Sequence, residues 1–223
     1  MASPPTRPEE VAPEFPVFPL TGALLLPRGK LPLNIFEPRY LAMVEDALAG
    51  GRVIGMIQPE PGRPATPTGP ALYGVGCLGR LSSFSETEDG RYLITLSGLW
   101  RFRLAGEVEM RRGYRRVRGD FAPFRAVDTA EPPESVPFDR DALLVALRAY
   151  FQARGFEANW DAIHEMPDDA LVATLSMACP FDPAEKQALL EAHAPEDRAA
   201  TLLALLRMGA HAPSDAPSRR TLS

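Results

Sequence analysis

The hydrophobic period of this chain changes once, and the change falls among prolines. Upstream of residue 122 the apolar residues come in short runs, several of them alternating in twos. Downstream of residue 137 they recur every three to four residues. Between the two lie Pro123, Pro132, Pro133 and Pro137, with Glu131 and Glu134. Proline fixes φ and removes a backbone donor, so neither a strand ladder nor a helix continues through such a stretch. The pattern predicts an α+β chain with a β-rich subdomain over residues 14–121, a connector over 122–137 and a helical bundle over 138–209. Residues 1–13 and 210–223 carry Pro, Ser and charge without an apolar period and read as disordered tails.

Within the first part, residues 15–20, 23–26 and 31–36 are apolar runs cut by Pro and Gly, which predicts strands. Residues 53–57 are nearly all apolar and predict a strand buried on both faces. Residues 78–84 and 92–96 flank Asp89-Gly90, a dipeptide suited to the positive φ of a hairpin turn, so these two segments should pair. Tyr92, Ile94 and Leu96 should point one way, and Phe102 and Leu104 should alternate in the same manner with Arg101 and Arg103. Residues 114–121 supply one more strand. The prolines at 59, 61, 64, 67 and 70 make residues 59–70 an exposed loop. One helix interrupts the strands. Pro38 suits its first position, Tyr40, Leu41, Val44, Ala47 and Leu48 form its apolar stripe, and Gly50-Gly51 stops it.

In the second part, Leu143, Leu147, Tyr150 and Phe151 share one side of a helix ended by Gly155. Residues 167–179 form another, halted by Pro180. Asp182 and Glu185 open a third with a capping-box spacing. Ala199, Leu202, Leu203 and Leu206 stripe a fourth, which Gly209 should end. None of these can bury its stripe alone, so they pack together.

The chemistry of the chain points away from catalysis. Gly29-Lys30 has Leu24 where the first glycine of a phosphate-binding loop belongs, and Leu31 where the hydroxyl belongs. His164-Glu165 lacks the second histidine of a zinc-protease helix. Lys186, in the second turn of its helix, reads as solvated, and no Gly-x-Ser-x-Gly elbow occurs. Cys77 and Cys179 have neither disulfide nor metal spacing and read as two reduced, buried thiols of a cytoplasmic protein. The first residues lack a basic segment followed by an apolar run, and no stretch reaches the ~20 apolar residues of a membrane span. The expectation is a binding protein with no catalytic residue, cofactor or metal.

One cluster bears on nucleic acid. Arg111, Arg112, Arg115, Arg116 and Arg118 fall beside Tyr114 and Phe121, and basic residues among aromatics can hold a single strand. On a strand, however, neighbours face opposite sides, and charge on an edge strand prevents sheet-to-sheet association. The edge-strand reading is preferred. The net charge of −5 also argues against a nucleic-acid partner.

Phe18-Pro19-Leu20, Leu26-Pro27 and the run Leu31-Pro32-Leu33-Asn34-Ile35-Phe36-Glu37-Pro38-Arg39-Tyr40 resemble the start of the N-terminal, substrate-binding domain of Lon proteases. The likeness continues through Met43-Val44, Ile54-Gly55, Val75-Gly76-Cys77, Asp89-Gly90-Arg91 and Gly98-Leu99-Trp100-Arg101-Phe102. It reaches the helices around residues 186–191 and covers roughly residues 14–209. The resemblance implies a PUA-like β-module followed by a helical bundle. It also implies contact with protein substrates, with ATPase and Ser–Lys peptidase work done by other domains. A stand-alone Lon-domain protein is expected. Its signature residues Leu20, Pro27, Leu33, Phe36, Glu37, Pro38, Arg39, Tyr40, Gly98, Arg101 and Phe102 are expected to be mainly structural. Phe36 and Tyr40 should fill the core, Glu37 should cap the helix, and Arg39 should tie that helix to a neighbouring strand.

The leading function is recognition of unfolded or tagged polypeptide, or of a protease or chaperone partner, through an apolar surface near the junction of the two modules. The alternative is RNA binding, since PUA-like folds also serve RNA. An unrecognised hydrolase is the third. No oligomeric state is legible.

Overall fold

The computed structural model describes residues 5, 7–130 and 137–211. Six strands form one sheet: β1 (Glu14–Pro19), β2 (Lys30–Ile35), β3 (Val53–Ile57), β4 (Val75–Glu86), β5 (Tyr92–Arg111) and β6 (Tyr114–Asp120). Their order is β2-β5-β4-β3-β1-β6, and β6 pairs back onto β5, so the sheet closes on itself. Closure depends on the length of β5, whose 20 residues pair with β2 and β4 over one half and with β6 over the other. The hairpin at Asp89-Gly90 forms as predicted, with Glu86 opposite Tyr92 and Gly90 at φ 77°. β2 pairs with β5 alone and is left at the edge of the sheet.

Residues 23–26 are not a strand. Leu24, Leu25 and Leu26 are all buried, which a strand with one solvent face cannot achieve, and the segment crosses β5 at close range instead. Gly98 permits the crossing: a Cβ there would lie 1.9 Å from the Leu26 carbonyl oxygen. The outward alternation expected of Arg101 also fails, because Arg101 is fully buried beside the fully buried Phe102.

Among the described residues seven α-helices accompany the sheet. They are α1 (Pro38–Ala49), α2 (Arg125–Asp128), α3 (Arg140–Arg154), α4 (Trp160–Glu165), α5 (Asp168–Ala178), α6 (Pro183–Glu191) and α7 (Pro195–His211). Pro38 stands at the start of α1, Gly155 caps α3 in the left-handed conformation, and α6 opens on the Asp182–Glu185 capping box, each as its sequence predicts. α4 has no long apolar stripe to announce it; Asn159 caps it by accepting from the Ala162 backbone N–H. α7 runs through Gly209 rather than ending there. A Cβ at that position would lie 2.4 Å from the Tyr150 ring, so the glycine serves close packing of α7 on α3.

The ends and the connector also differ from expectation. Residues 8–10 form a 3-10 turn with Pro8 buried, so the segment before β1 is packed in part. Residues 122–130 are anchored by the buried Phe124 and Asp128 of the α2 segment. Residues 131–136, the middle of the expected connector, and 212–223 lie outside the described residues, although α7 already covers residues 210 and 211.

One apolar core spans strands and helices, taking Phe18, Met43 and Leu96 together with Leu147, Leu175 and Leu202. A smaller core inside the closed sheet holds Phe15, Val17, Leu78, Phe102 and Val117. The two modules therefore share a packed interface rather than facing each other across water. Among the described residues no helix is long and apolar enough to cross a membrane.

Candidate functional site

The junction between strands and helices is organised around Arg101. Its Nε and Nη2 donate to Asp128 Oδ1 at 3.0 and 2.7 Å, and its backbone N–H donates to Asp128 Oδ2 at 2.7 Å. Nη1 reaches the carbonyls of Leu190, at 3.2 Å, and of Ala192, while Nη2 reaches that of His193 at 3.0 Å. The guanidinium lies 4.5 Å from the Phe124 ring centre. All five guanidinium donors are thus used. The pair is fully dry, with side-chain exposures of 0% and 3%, and it locks β5 to α2 and to the C-terminal end of α6, where orphan carbonyls attract cations.

A second set of polar side chains closes the other flank. Gln58 accepts from the Gly22 N–H at 2.9 Å and donates to the Pro183 carbonyl at 2.9 Å and to Gln187 at 3.2 Å. Lys186 is buried here, not solvated, and its Nζ donates to the Gly22 carbonyl at 2.7 Å. Burial pushes its pKa down from the usual lysine value. Its neighbour Cys179 is pushed up to about 12 by burial, so that thiol is inert at neutral pH. Among the described residues no group of three or more His, Cys, Asp or Glu side chains is placed to hold a metal ion.

Beside the Arg101 lock lies a cavity of about 540 Å³. One wall is the segment 27–32 leading into β2, another is α5, and the ends of the cavity are formed by Val127, Pro195 and Arg198. Leu31, Val172, Ala173 and Met177 make the lining largely apolar, and Arg28, Lys30 and Asp169 supply charge. Gly29 lets this wall approach α5, since a Cβ on it would sit 2.4 Å from Met177 Sδ. The volume falls within the roughly 300–1,000 Å³ of ligand pockets.

Of the signature residues, Pro27 and Arg101 line this cavity. Leu20 and Leu33 are partly buried against the main core, Tyr40 is buried in it, Phe102 is buried in the smaller core, and Gly98 carries the crossing described above. The segment 36–39 departs from expectation. Phe36 is 63% exposed and fills no core. The alternation of β2 explains this: Leu31, Leu33 and Ile35 point inward, which sends Phe36 outward with Lys30, Pro32 and Asn34. Pro38 is exposed at the first turn of α1. Glu37 occupies the N-cap position, but its side chain caps none of the backbone N–H groups of the first turn. It accepts from Arg39 Nε at 3.0 Å instead, and Arg39 lies 4.5 Å from the Tyr40 ring centre rather than tying α1 to a strand. Both partners are about half exposed.

The arginine cluster forms no free basic face. Arg111 and Arg112 meet Asp46 at 3.2 and 3.0 Å, and Arg112 also meets Glu45 at 2.7 Å. Arg115 is buried against Glu107 at 2.6 Å, while Arg116 and Arg118 share Glu14 at 3.4 and 2.9 Å. β6 is not an edge strand either, because it pairs with both β1 and β5. Arg115 does a further job: it donates to the Pro70 carbonyl at 2.7 Å, and Glu107 accepts from Thr68, so the proline-rich loop is tied to the hairpin.

Sequence reasoning missed Asp128, Arg198 and the α5 wall. Asp128 lies within the expected connector, and Arg198 looks like an ordinary surface residue of a helix. No spacing relates either to Arg101.

A family model, the ATP-dependent protease La (LON) substrate-binding domain, matches residues 14–208. Lon protease 2 of Sorangium cellulosum is 31% identical over 127 residues, which is 56% of this chain and 16% of that protein. Lon protease 2 of Myxococcus xanthus is 28% identical over 112 residues, 50% of this chain and 13% of that protein. The chain therefore spans only a small part of the length of these relatives. Among solved structures, a Lon N-terminal domain protein from Xanthomonas campestris aligns with a TM-score of 0.61 at 23% identity, covering 86% of this chain and 97% of that one. The N-terminal domain of a Mycobacterium avium complex Lon protease aligns at 0.57 with 17% identity over the same 86% and 97%. These structures share the α+β fold described above.

Proposed function

This chain belongs to the Lon substrate-binding domain family, and from that membership we propose that it is a non-catalytic module that binds flexible or unfolded polypeptide at the cavity between residues 27–32 and α5. The observation that carries the reading is the apolar lining of that cavity together with the free edge of β2 that leads out of it. The Gly98 N–H donates to the Gly29 carbonyl at 2.8 Å, which sets the ladder direction of β2. The alternation that follows turns residues 31, 33 and 35 toward β5 and residues 30, 32 and 34 away from it. Pro32 fits this arrangement, since an edge-strand proline keeps its nitrogen off the ladder. An extended chain finds apolar contact in the cavity and unpaired backbone groups beside it. The two buried free thiols, Cys77 and Cys179, support a cytoplasmic setting.

Affinity should be modest, because a flexible chain loses entropy when it docks. Titration with a labelled unfolded protein should give weak binding that changes little with salt. Ala173→Phe, which fills the cavity, should abolish it without lowering the melting temperature. Undiminished binding by a folded Ala173→Phe protein would place the site elsewhere. RNA binding that weakens steeply with salt, with no polypeptide binding, would reverse the reading. The carboxylate partners on β1, β5 and α1 count against that outcome.

A further inference from the structure

We infer that the cavity recognises the C-terminal end of a polypeptide, with Arg198 holding the terminal carboxylate and the apolar wall holding the last side chains. This inference rests on the polypeptide-binding reading and adds direction and chemistry to it.

The basis is a charge without a partner. Arg198, near the start of α7, donates through Nε to the Leu189 carbonyl at 3.0 Å, which fixes the guanidinium in place. Among the described residues its terminal nitrogens make no hydrogen bond, and no carboxylate lies within ion-pair distance of it. Among the described residues no buried side-chain nitrogen or oxygen lacks a partner, so these nitrogens border open space, and Arg198 lines the cavity. The neighbouring carboxylate, Asp128, is committed to Arg101 through three hydrogen bonds from that side chain and one from its backbone. Two guanidinium groups thus share one acid, and Arg198 is the surplus. Its surroundings register the imbalance: burial and then the Arg101 charge hold its pKa down to about 10, only partly countered by Asp128. At neutral pH the group remains cationic in a place short of negative charge.

A carboxylate restores the balance. The planar guanidinium matches it with paired N–H donors, and a site that already excludes much water strengthens the bond. Lys30 and Arg28 stand on the rim against Asp169, so the approach also favours an anion. Leu31, Val172, Ala173 and Met177 surround the position with apolar surface. A group that joins a carboxylate to apolar side chains on a flexible chain is a polypeptide C-terminus ending in apolar residues. An internal segment offers amides there and leaves the arginine unpaired.

The test uses the full chain and a short, flexible, N-terminally labelled peptide ending in Leu-Leu, prepared as the free acid and as the C-terminal amide. Fluorescence anisotropy should show the acid binding roughly tenfold or more tightly, as expected for a hydrogen-bonded charge pair. Arg198→Gln should erase the difference, and Arg198→Lys should keep part of it. A third peptide, amidated and carrying an internal Glu, should bind like the amide. Equal binding of acid and amide overturns the inference while leaving polypeptide binding intact. So does an acid preference that survives in folded Arg198→Gln, or an internal Glu that substitutes for the terminus. If Arg198→Gln fails to fold, the acid–amide comparison on the unaltered protein decides alone. Silence from all peptides and from unfolded protein removes this inference and the broader reading together.

Discussion

The β5–β6 hairpin and the module junction both contain arginines, and they use them in opposite ways. In and beside the hairpin, arginines 111, 112, 115, 116 and 118 stand close in sequence, and each meets Glu14, Glu45, Asp46 or Glu107. At the junction only Arg101 and Arg198 come together from distant parts of the chain, with Asp128 as the one carboxylate held by Arg101. The dense cluster is electrically quiet and the sparse one is not. Local charge density says little about a site; an uncompensated charge in a desolvated place says more, because its free energy is high until a ligand answers it.

The strongest way to break this contrast is at the Arg101 lock. Arg101→Met strips the buried Asp128 carboxylate of its hydrogen-bonded guanidinium and frees the carbonyls of Leu190, Ala192 and His193. Urea unfolding should show a loss of about 3–5 kcal/mol. The double variant Arg101→Met with Asp128→Leu should regain part of that loss, because the carboxylate that Arg101 held is gone as well. A single variant within 1 kcal/mol of the parent, on the order of an ordinary surface change, would mean the junction tolerates unpaired charge.

A smaller effect is expected from the quiet cluster. Burial alone would raise the Glu107 pKa, but hydrogen bonds from Arg115 and Thr68 hold it below its ordinary value of 4.5. A carboxylate depressed in the folded state contributes stability that is present above its unfolded pKa and lost as pH falls through the folded one. Glu107→Gln should therefore cost about 1–3 kcal/mol at neutral pH and flatten the acid limb of a stability–pH curve. Equal acid limbs in both proteins would show that the pair is not coupled to folding.

The smallest effect sharpens the comparison from the surface. Glu37 and Arg39 are about half exposed and pair across one intervening residue, so Glu37→Ala or Arg39→Ala should each shift stability by no more than about 0.5 kcal/mol. A loss above about 1 kcal/mol in either would restore the structural role that the sequence suggests for them.

How much of this was legible varies with the physics involved. The hairpin at Asp89-Gly90, the start of α1 at Pro38, the capping box at Asp182 and the end of α3 at Gly155 rest on local backbone preferences, and all formed where the residues predict. The outward turn of Phe36 follows from the parity of Leu31, Leu33 and Ile35, which a core placement of Phe36 ignores. Lys186 and Arg101 were misjudged because polarity and alternation predict exposure only when nothing packs above the residue. Gly209 reads locally as a helix end, yet it makes room for the Tyr150 ring on another helix.

The sequence by itself determined the α+β class, the family and most of the strand and helix order, although residues 23–26, α2 and α4 escaped it, because backbone propensity and apolar period act over a few residues. Tertiary structure alone decided which arginines are neutralised, which carboxylate Arg101 takes and where a cavity remains. Those outcomes depend on residues such as Arg101, Asp128 and Arg198 meeting across long stretches of chain, in a region dry enough for a single charge to matter.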